Sequence, residues 1–307
     1  MQQPPTLQAG DMVRIISTAR KISEKELQPA VQRLESWGLK VEFGNNLFQE
    51  DRQFAGTKTE RIADLQAALD DESCKAIICA RGGYGTVQLI DEIDFNKFLQ
   101  KPKWLVGYSD VTVLHCHLHE QLQVESIHAS MPINFLPIEE VDVAAESLRK
   151  ALFGEELTYS FEAEEGSLLT FEQLQVPIVG GNLSILYSLS GSKSQLSSKG
   201  KFLFIEDLDE YLYHIDRMMV NLRRSALLNG CCGLLVGGLT DMNDNTIPYG
   251  ETAKEIVVEN TKDLGIPIVF GVPAGHIKEN KALIMGRKLK LSREGSKVKM
   301  TFDGRAQ

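Results

Sequence analysis

Between Met12 and Ile127 the chain alternates short apolar runs with amphipathic stretches, and that alternation restricts the fold more than any other feature. Met12 to Ile16, Val41 to Phe43, Lys75 to Ala80 (KAIICA), Trp104 to Val106 and Val124 to Ile127 read as strands. Ser17 and Thr18 read as helix-initiating residues ahead of a helical pattern from Glu24 to Trp37, which Gly38 ends. Lys58 to Leu69 and Asp110 to Leu122 read as further helices, and a Gly-rich turn from Arg81 to Gly85 is expected to open another. Runs this apolar, each followed by a helix, predict an α/β fold with a parallel sheet covered on both faces.

The rhythm breaks between about Phe153 and Glu172, where acidic and small residues dominate (GEELTYSFEAEEGS). Beyond it, Pro177 to Val179, Lys201 to Ile205, Gly233 to Val236 and Ile266 to Phe270 read as strands, with a long packed helix from about Leu212 to Leu228. A length of 307 residues fits two domains. The expected division is residues 1–153, a linker at 154–174, and a smaller mixed α/β domain at 175–307.

Lys and Arg total 33 against 42 for Asp and Glu, a net charge of −9 that disfavours nucleic acid and anionic membrane as partners. Small molecules or peptides are the expected ligands. The first ten residues hold no basic cluster and lead into no apolar stretch, against Sec export. The longest weakly polar run, Gly230 to Leu239, falls far short of the roughly 20 residues of a membrane span. Cys74, Cys79, Cys116, Cys231 and Cys232 lie in apolar stretches without a CxxC pair, which points to reduced thiols, a cytoplasmic protein and no structural zinc.

Four places could carry chemistry. Ser109 stands in GYSD between a strand and a helix, a turn that would expose its hydroxyl and aim the following N–H groups at an oxyanion. On the local sequence alone the preferred reading is an N-cap serine. The loop Arg81–Gly85 follows the preceding strand, where clustered glycines let backbone amides approach a ligand; with Gln88 in place of a third glycine it is not a dinucleotide fingerprint. Arg81 is either structural or a carboxylate binder. Glu206 and His276 stand at the ends of two later strands and could orient and supply a general base, with Asp207 and Asp209 as rivals for the acid. His115, His117 and His119 invite a metal reading, but on a helix only the first and last share a face, so a packed role is preferred.

ARGGYG (80–85), GYSD (107–110), GGNLS (180–184), FIED (from 204) and GVPAGH (271–276), in this order and spacing, resemble the LD-carboxypeptidase family of serine peptidases. This family, also called muramoyltetrapeptide carboxypeptidases, includes microcin self-immunity hydrolases, and the resemblance runs from about residue 11 to about 290. It implies a flavodoxin-like or glutaminase-like N-terminal domain, a Ser109, Glu206 and His276 triad, and an oxyanion hole at the amides of Gly83 and Asp110. Arg81, Tyr84 and Asn182 are the substrate contacts these motifs nominate. The implied activity is release of the terminal D-alanine from murein tetrapeptides in cell-wall recycling, by a cytoplasmic homodimer that needs no cofactor or metal. Two alternatives stand beside it: a self-immunity hydrolase cutting a peptide–nucleotide or acyl-sulfamoyl conjugate, and a non-catalytic binding protein on the same scaffold. Where the family usually has His-Gly-Pro-Met, this chain has His128–Ala129–Ser130–Met131–Pro132.

Overall fold

The structure, a computed structural model, describes residues 1–304; the last three residues of the expected 175–307 domain lie outside the described residues. The first part of the chain runs β1 (Met12–Ile16), α1 (Glu24–Ser36), β2 (Lys40–Phe43), α2 (Lys58–Asp70), β3 (Cys74–Cys79), α3 (Asn96–Gln100), β4 (Trp104–Gly107), α4 (Thr112–His117), β5 (Ser126–His128) and α5 (Val143–Phe153). After it come β6 (Leu157–Glu162), β7 (Gln173–Asn182), α6 (Leu183–Ser188), β8 (Phe202–Leu208), α7 (Leu212–Arg224), β9 (Gly233–Thr240) and α8 (Ala253–Glu259). The chain closes with β10 (Ile268–Phe270), β11 (Leu283–Met285), β12 (Lys288–Glu294) and β13 (Lys297–Phe302).

Two sheets result. The first has the order β11-β5-β4-β3-β1-β2, parallel except for β11, which pairs antiparallel with β5. Its β2-β1-β3-β4-β5 portion is the flavodoxin-like order, and β1 and β3 flank the point where the chain's winding reverses, where ligands of such sheets bind beyond the strands' carboxyl ends. The second has the order β10-β9-β8-β7-β12-β13-β6. The long β7 joins its two halves, pairing antiparallel with β12 through Gln173–Pro177 and parallel with β8 through Ile178–Asn182.

The central strands are buried on both faces, which is why they read as unbroken apolar runs: Ile77, Ile78, Leu105, Val106, Leu203 and Phe204 are all fully buried. Trp104 anchors the first core and donates its indole N–H to the Pro5 carbonyl at 2.8 Å. α7 buries Ile215, Met218, Met219 and Leu222 along one face, the packed helix the spacing predicts, although it ends at Arg224 rather than Leu228.

Four expectations are corrected. Ser17 and Thr18 start no helix; α1 is capped by Ser23, whose side chain and that of Glu26 form a reciprocal capping box, while Ser17 Oγ donates to the Arg20 carbonyl. The loop at 81–85 leads not into an α-helix but into short 3₁₀ turns at Thr86–Gln88 and Ile90–Glu92, and Asp110 accepts from the Thr86 N–H and hydroxyl at 2.9 and 2.6 Å. Part of the 154–174 segment read as a linker is strand β6, which pairs along its whole length with β13. Finally, β11 carries the chain from beyond residue 175 back into the first sheet.

Candidate active site

The carboxyl ends of β3 and β4 from the first sheet, and of β7 and β8 from the second, converge on a cleft of about 510 Å³. Ser109 is among the residues that line it. Its φ of 60° puts a non-glycine residue in the left-handed region, a conformation that costs roughly 1–3 kcal/mol and holds only when the surroundings over-determine it. Here they do: Asp110, buried, ties the start of the following helix to the glycine loop through Thr86, and the Asn182 N–H donates to Thr112 Oγ1 at 3.0 Å. Burial, opposed by those hydrogen bonds, raises the Asp110 carboxyl above its usual range.

The glycine loop comes within van der Waals reach of the serine. A Cβ built on Gly82 would stand 3.1 Å from Ser109 Oγ, so this position admits no larger residue without displacing the hydroxyl. Gly83 has φ 119°, and both Gly83 and Asp110, the residues expected to supply the oxyanion hole, line the cleft. The first amides of a helix have no intrahelical acceptor, so the N–H after Ser109 is suited to meet a ligand.

The second sheet's side brings Glu206 and His276. Glu206, at the end of β8, is fully buried, and its Oε2 accepts from the His276 main-chain N–H at 3.0 Å and lies 2.6 Å from Nδ1 of the same residue. Gly275 permits this approach, since a Cβ there would stand 2.7 Å from Glu206 Cβ and 2.8 Å from Oε2. The other oxygen of Glu206 is buried without a hydrogen-bond partner among the described residues. Burial disfavours the His276 imidazolium, but the hydrogen bond to Glu206 and the charges of Glu206 and Asp207 outweigh it, and the pKa is raised above 6.5. With Nδ1 occupied, Nε2 is the nitrogen left to act. The Tyr108 ring packs against the imidazole with centroids 4.8 Å apart.

Asp207 does not compete for the histidine. It accepts from Asn182 Nδ2 at 2.9 Å, Ser184 N–H at 2.8 Å and Leu208 N–H at 2.9 Å, and burial plus the charge of Glu206 push its carboxyl up to about 7. Asp209 faces Asn243 instead. Ser109 Oγ and His276 line one cleft without a hydrogen bond between them, a contact that often tightens only when substrate is present.

The nominated substrate contacts divide. Asn182 lines the cleft, but its side chain is committed to Asp207 and to capping α6. Arg81 lines it too, with its guanidinium drawn to the Lys21 carbonyl at 3.1 Å and to Glu26 at 3.9 Å. Tyr84 lies outside the lining, exposed and packed against Phe54. Arg20, just past β1, lines the cleft and was passed over in the sequence; the signal available was its place at the carboxyl end of the strand beside the winding reversal. Of the histidine cluster, His115 bonds Ser126 Oγ and the Gly107 carbonyl, His117 meets Ser194, and His119 is buried; no group of metal-holding side chains forms among the described residues.

Comparison with known proteins follows the same outline. The LD-carboxypeptidase N-terminal domain matches residues 13–129, and the LD-carboxypeptidase C-terminal domain matches residues 175–291. A probable murein peptide carboxypeptidase of Bacillus subtilis is 33% identical over 291 residues, covering 93% of this chain and 90% of that protein. The crystal structure of muramoyltetrapeptide carboxypeptidase from Oxalobacter formigenes superposes with a TM-score of 0.85 at 24% identity, covering 96% of this chain and 100% of that one. The microcin C7 self-immunity protein MccF in complex with aspartyl sulfamoyl adenosine superposes with a TM-score of 0.84 at 21% identity, covering 98% of each chain.

Proposed function

The chain belongs to the LD-carboxypeptidase family, and from that premise we propose that it is a serine carboxypeptidase that hydrolyses the L-to-D amide ending a murein tetrapeptide and releases D-alanine. The observation that carries the reading is the buried Glu206 carboxylate held 2.6 Å from Nδ1 of His276, a histidine that lines the same cleft as a serine on a left-handed turn. In this reading His276 Nε2 takes the Ser109 proton as Oγ attacks the scissile carbonyl, then delivers it to the departing amine. The amides of Gly83 and Asp110 would hold the oxyanion, and Glu206 would fix the tautomer and stabilise the imidazolium. Water then repeats the sequence on the acyl-enzyme. Residues 1–153 would supply the nucleophile and 175–307 the acid and base. The proposal extends to cytoplasmic murein recycling by a homodimer, the setting the family resemblance implies.

The cleft's lining favours a peptide over a nucleotide conjugate. Apart from His276, its one aromatic lining residue among the described residues is Tyr108, whose ring is buried against His276, so the lining itself presents no exposed ring to stack on a base. Mass spectrometry of products from tetrapeptides with lysine or diaminopimelate at the third position tests the reading. D-alanine release from either supports it and names the preferred third residue. Cleavage restricted to acyl-sulfamoyl nucleotides would replace it with the self-immunity activity, and binding without cleavage of any of these would leave a non-catalytic protein.

A further inference from the structure

The cleft's ionisable lining is mostly acidic: Asp110, Asp207, Asp209 and Glu210 all contribute to it. A peptide with a free terminal carboxylate would be repelled there unless a cation received it. Besides His276, the lining offers two, Arg20 and Arg81. Arg81 is engaged with the Lys21 carbonyl and Glu26. Arg20 is exposed, and its guanidinium has neither a carboxylate partner nor a hydrogen bond among the described residues.

Arg20 is also in the right place. Its side chain lies across Gly83: a Cβ built on that glycine would stand 2.7 Å from Arg20 Cγ and Cδ and 2.8 Å from Nε. Gly83 is the residue whose amide the proposed mechanism assigns to the scissile carbonyl's oxyanion. In a carboxypeptidase substrate the terminal carboxyl carbon is only three bonds beyond the scissile carbonyl carbon, roughly 3–4 Å away by ordinary backbone dimensions. A guanidinium rising beside Gly83 therefore meets the terminal carboxylate, and its planar fork suits two-point recognition of that group.

The loop that carries Arg20 is fixed before substrate arrives. Ser17 Oγ donates to the Arg20 carbonyl at 2.7 Å, Ala55 N–H to Ala19 and Lys21 N–H to Gln53, both at 3.0 Å. Arg81 braces the same loop through Lys21. We propose that Arg20 recognises the free terminal carboxylate of the peptide substrate, and that Arg81 positions the loop that presents it. The inference rests on the carboxypeptidase reading and adds the residue that makes the enzyme an exopeptidase.

The test compares a tetrapeptide with a free terminus and the same peptide amidated at its C-terminus. For binding, calorimetry on Ser109→Ala should show the free acid held about 10- to 100-fold more tightly than the amide. Adding Arg20→Ala should bring the two affinities together by weakening the acid, and Arg20→Lys should restore part of the gap. Because Arg20 is exposed, these variants should unfold at the temperature of their parent, which circular dichroism checks. An acid-to-amide ratio that survives Arg20→Ala, or one that collapses only with Arg81→Ala, overturns the assignment, as does failure of Ser109→Ala to prefer the free acid. Tight, Arg20-dependent binding without turnover by the wild-type protein would instead sink the carboxypeptidase reading and leave the carboxylate site standing.

Discussion

Where the first sheet meets the cleft, what it contributes is backbone conformation: Gly83 at φ 119°, Ser109 at φ 60° and the amides that follow them. Where the second sheet meets it, the contribution is buried charge: Glu206 fully buried, Asp207 nearly so, and His276 held to the former at 2.6 Å. One side is set by dihedral angles and close contacts, the other by the balance between desolvation and charge pairing. The two sides should therefore fail differently. A change at Gly83 or Ser109 should alter rate without moving its pH dependence, because neither residue titrates. A change at the second should move both, since each pKa unit is about 1.36 kcal/mol of preference between charge states.

The largest effect expected is that of Ser109→Ala. Removing the nucleophile should lower kcat by about 10⁴-fold or more, as losses of such groups do. Folding should survive, because Ser109 makes no side-chain hydrogen bond among the described residues and alanine meets the same backbone demand. A variant retaining even a tenth of the wild-type rate would remove the first edge from the chemistry altogether. Next in size is Glu206→Gln, expected to lower kcat about 10³- to 10⁴-fold because an amide cannot stabilise the imidazolium. Asp207→Asn should be milder, since Asp207 touches Asn182, Ser184 and Leu208 rather than the histidine. The reverse ranking in steady-state kinetics would transfer the acid's role to Asp207.

Gly82→Ala sharpens the comparison from the other side. The added methyl would stand 3.0 Å from Ser109 Cβ and 3.1 Å from Oγ, close enough to push the hydroxyl off its line of attack. A displacement of this kind is expected to cost about 10²-fold in kcat. The pH profile of the residual activity should overlay that of the wild type. A shifted profile would mean that the two edges are coupled more tightly than their separate origins suggest.

Much of this arrangement is legible in the sequence, for identifiable reasons. Strands buried on both faces announce themselves as runs such as KAIICA, and Ser109 and His276, placed beyond such runs, line the cleft because parallel strands share a carboxyl edge, with Glu206, near the end of β8, held against His276. β12 and β13 were missed because only one face of each is covered: KLKLSRE and KVKMTF alternate lysine with apolar residues, and neither contains a continuous apolar run. β11 is three residues long and owes its strand to β5, more than 150 positions earlier, a pairing no local pattern encodes. Arg20 escaped notice because its loop, STAR, carries no glycine signature; its importance comes from the strand order, which exists only once the sheet is built. Tyr84 errs in the opposite direction, since it belongs to a cleft motif but points to Phe54.

The smallest and most discriminating effect concerns pH. Burial alone would lower the His276 pKa, yet the hydrogen bond to Glu206 and the nearby charges of Glu206 and Asp207 raise it above 6.5. As a general base the imidazole must be neutral, so kcat/KM should fall tenfold per pH unit below an apparent pKa that lies above 6.5. Asp207, raised to about 7, titrates in the same range, so the limb belongs to the Glu206, Asp207 and His276 cluster rather than to one residue. The sign of each variant follows. Asp207→Asn removes one negative charge near the imidazolium, and the acidic limb should move modestly to lower pH. Glu206→Gln removes both a charge and the ionic hydrogen bond, so its limb should move further in the same direction while burial goes on opposing the cation. The raised pKa also stabilises the folded protein below the unfolded-state value of about 6.5, a contribution lost as pH rises through the folded value. Profiles of kcat/KM measured from about pH 5 to pH 9 decide the matter. A wild-type limb below 6.5, or one that Glu206→Gln leaves in place, would mean that buried charge does not set the base, and the contrast between the two edges would fail.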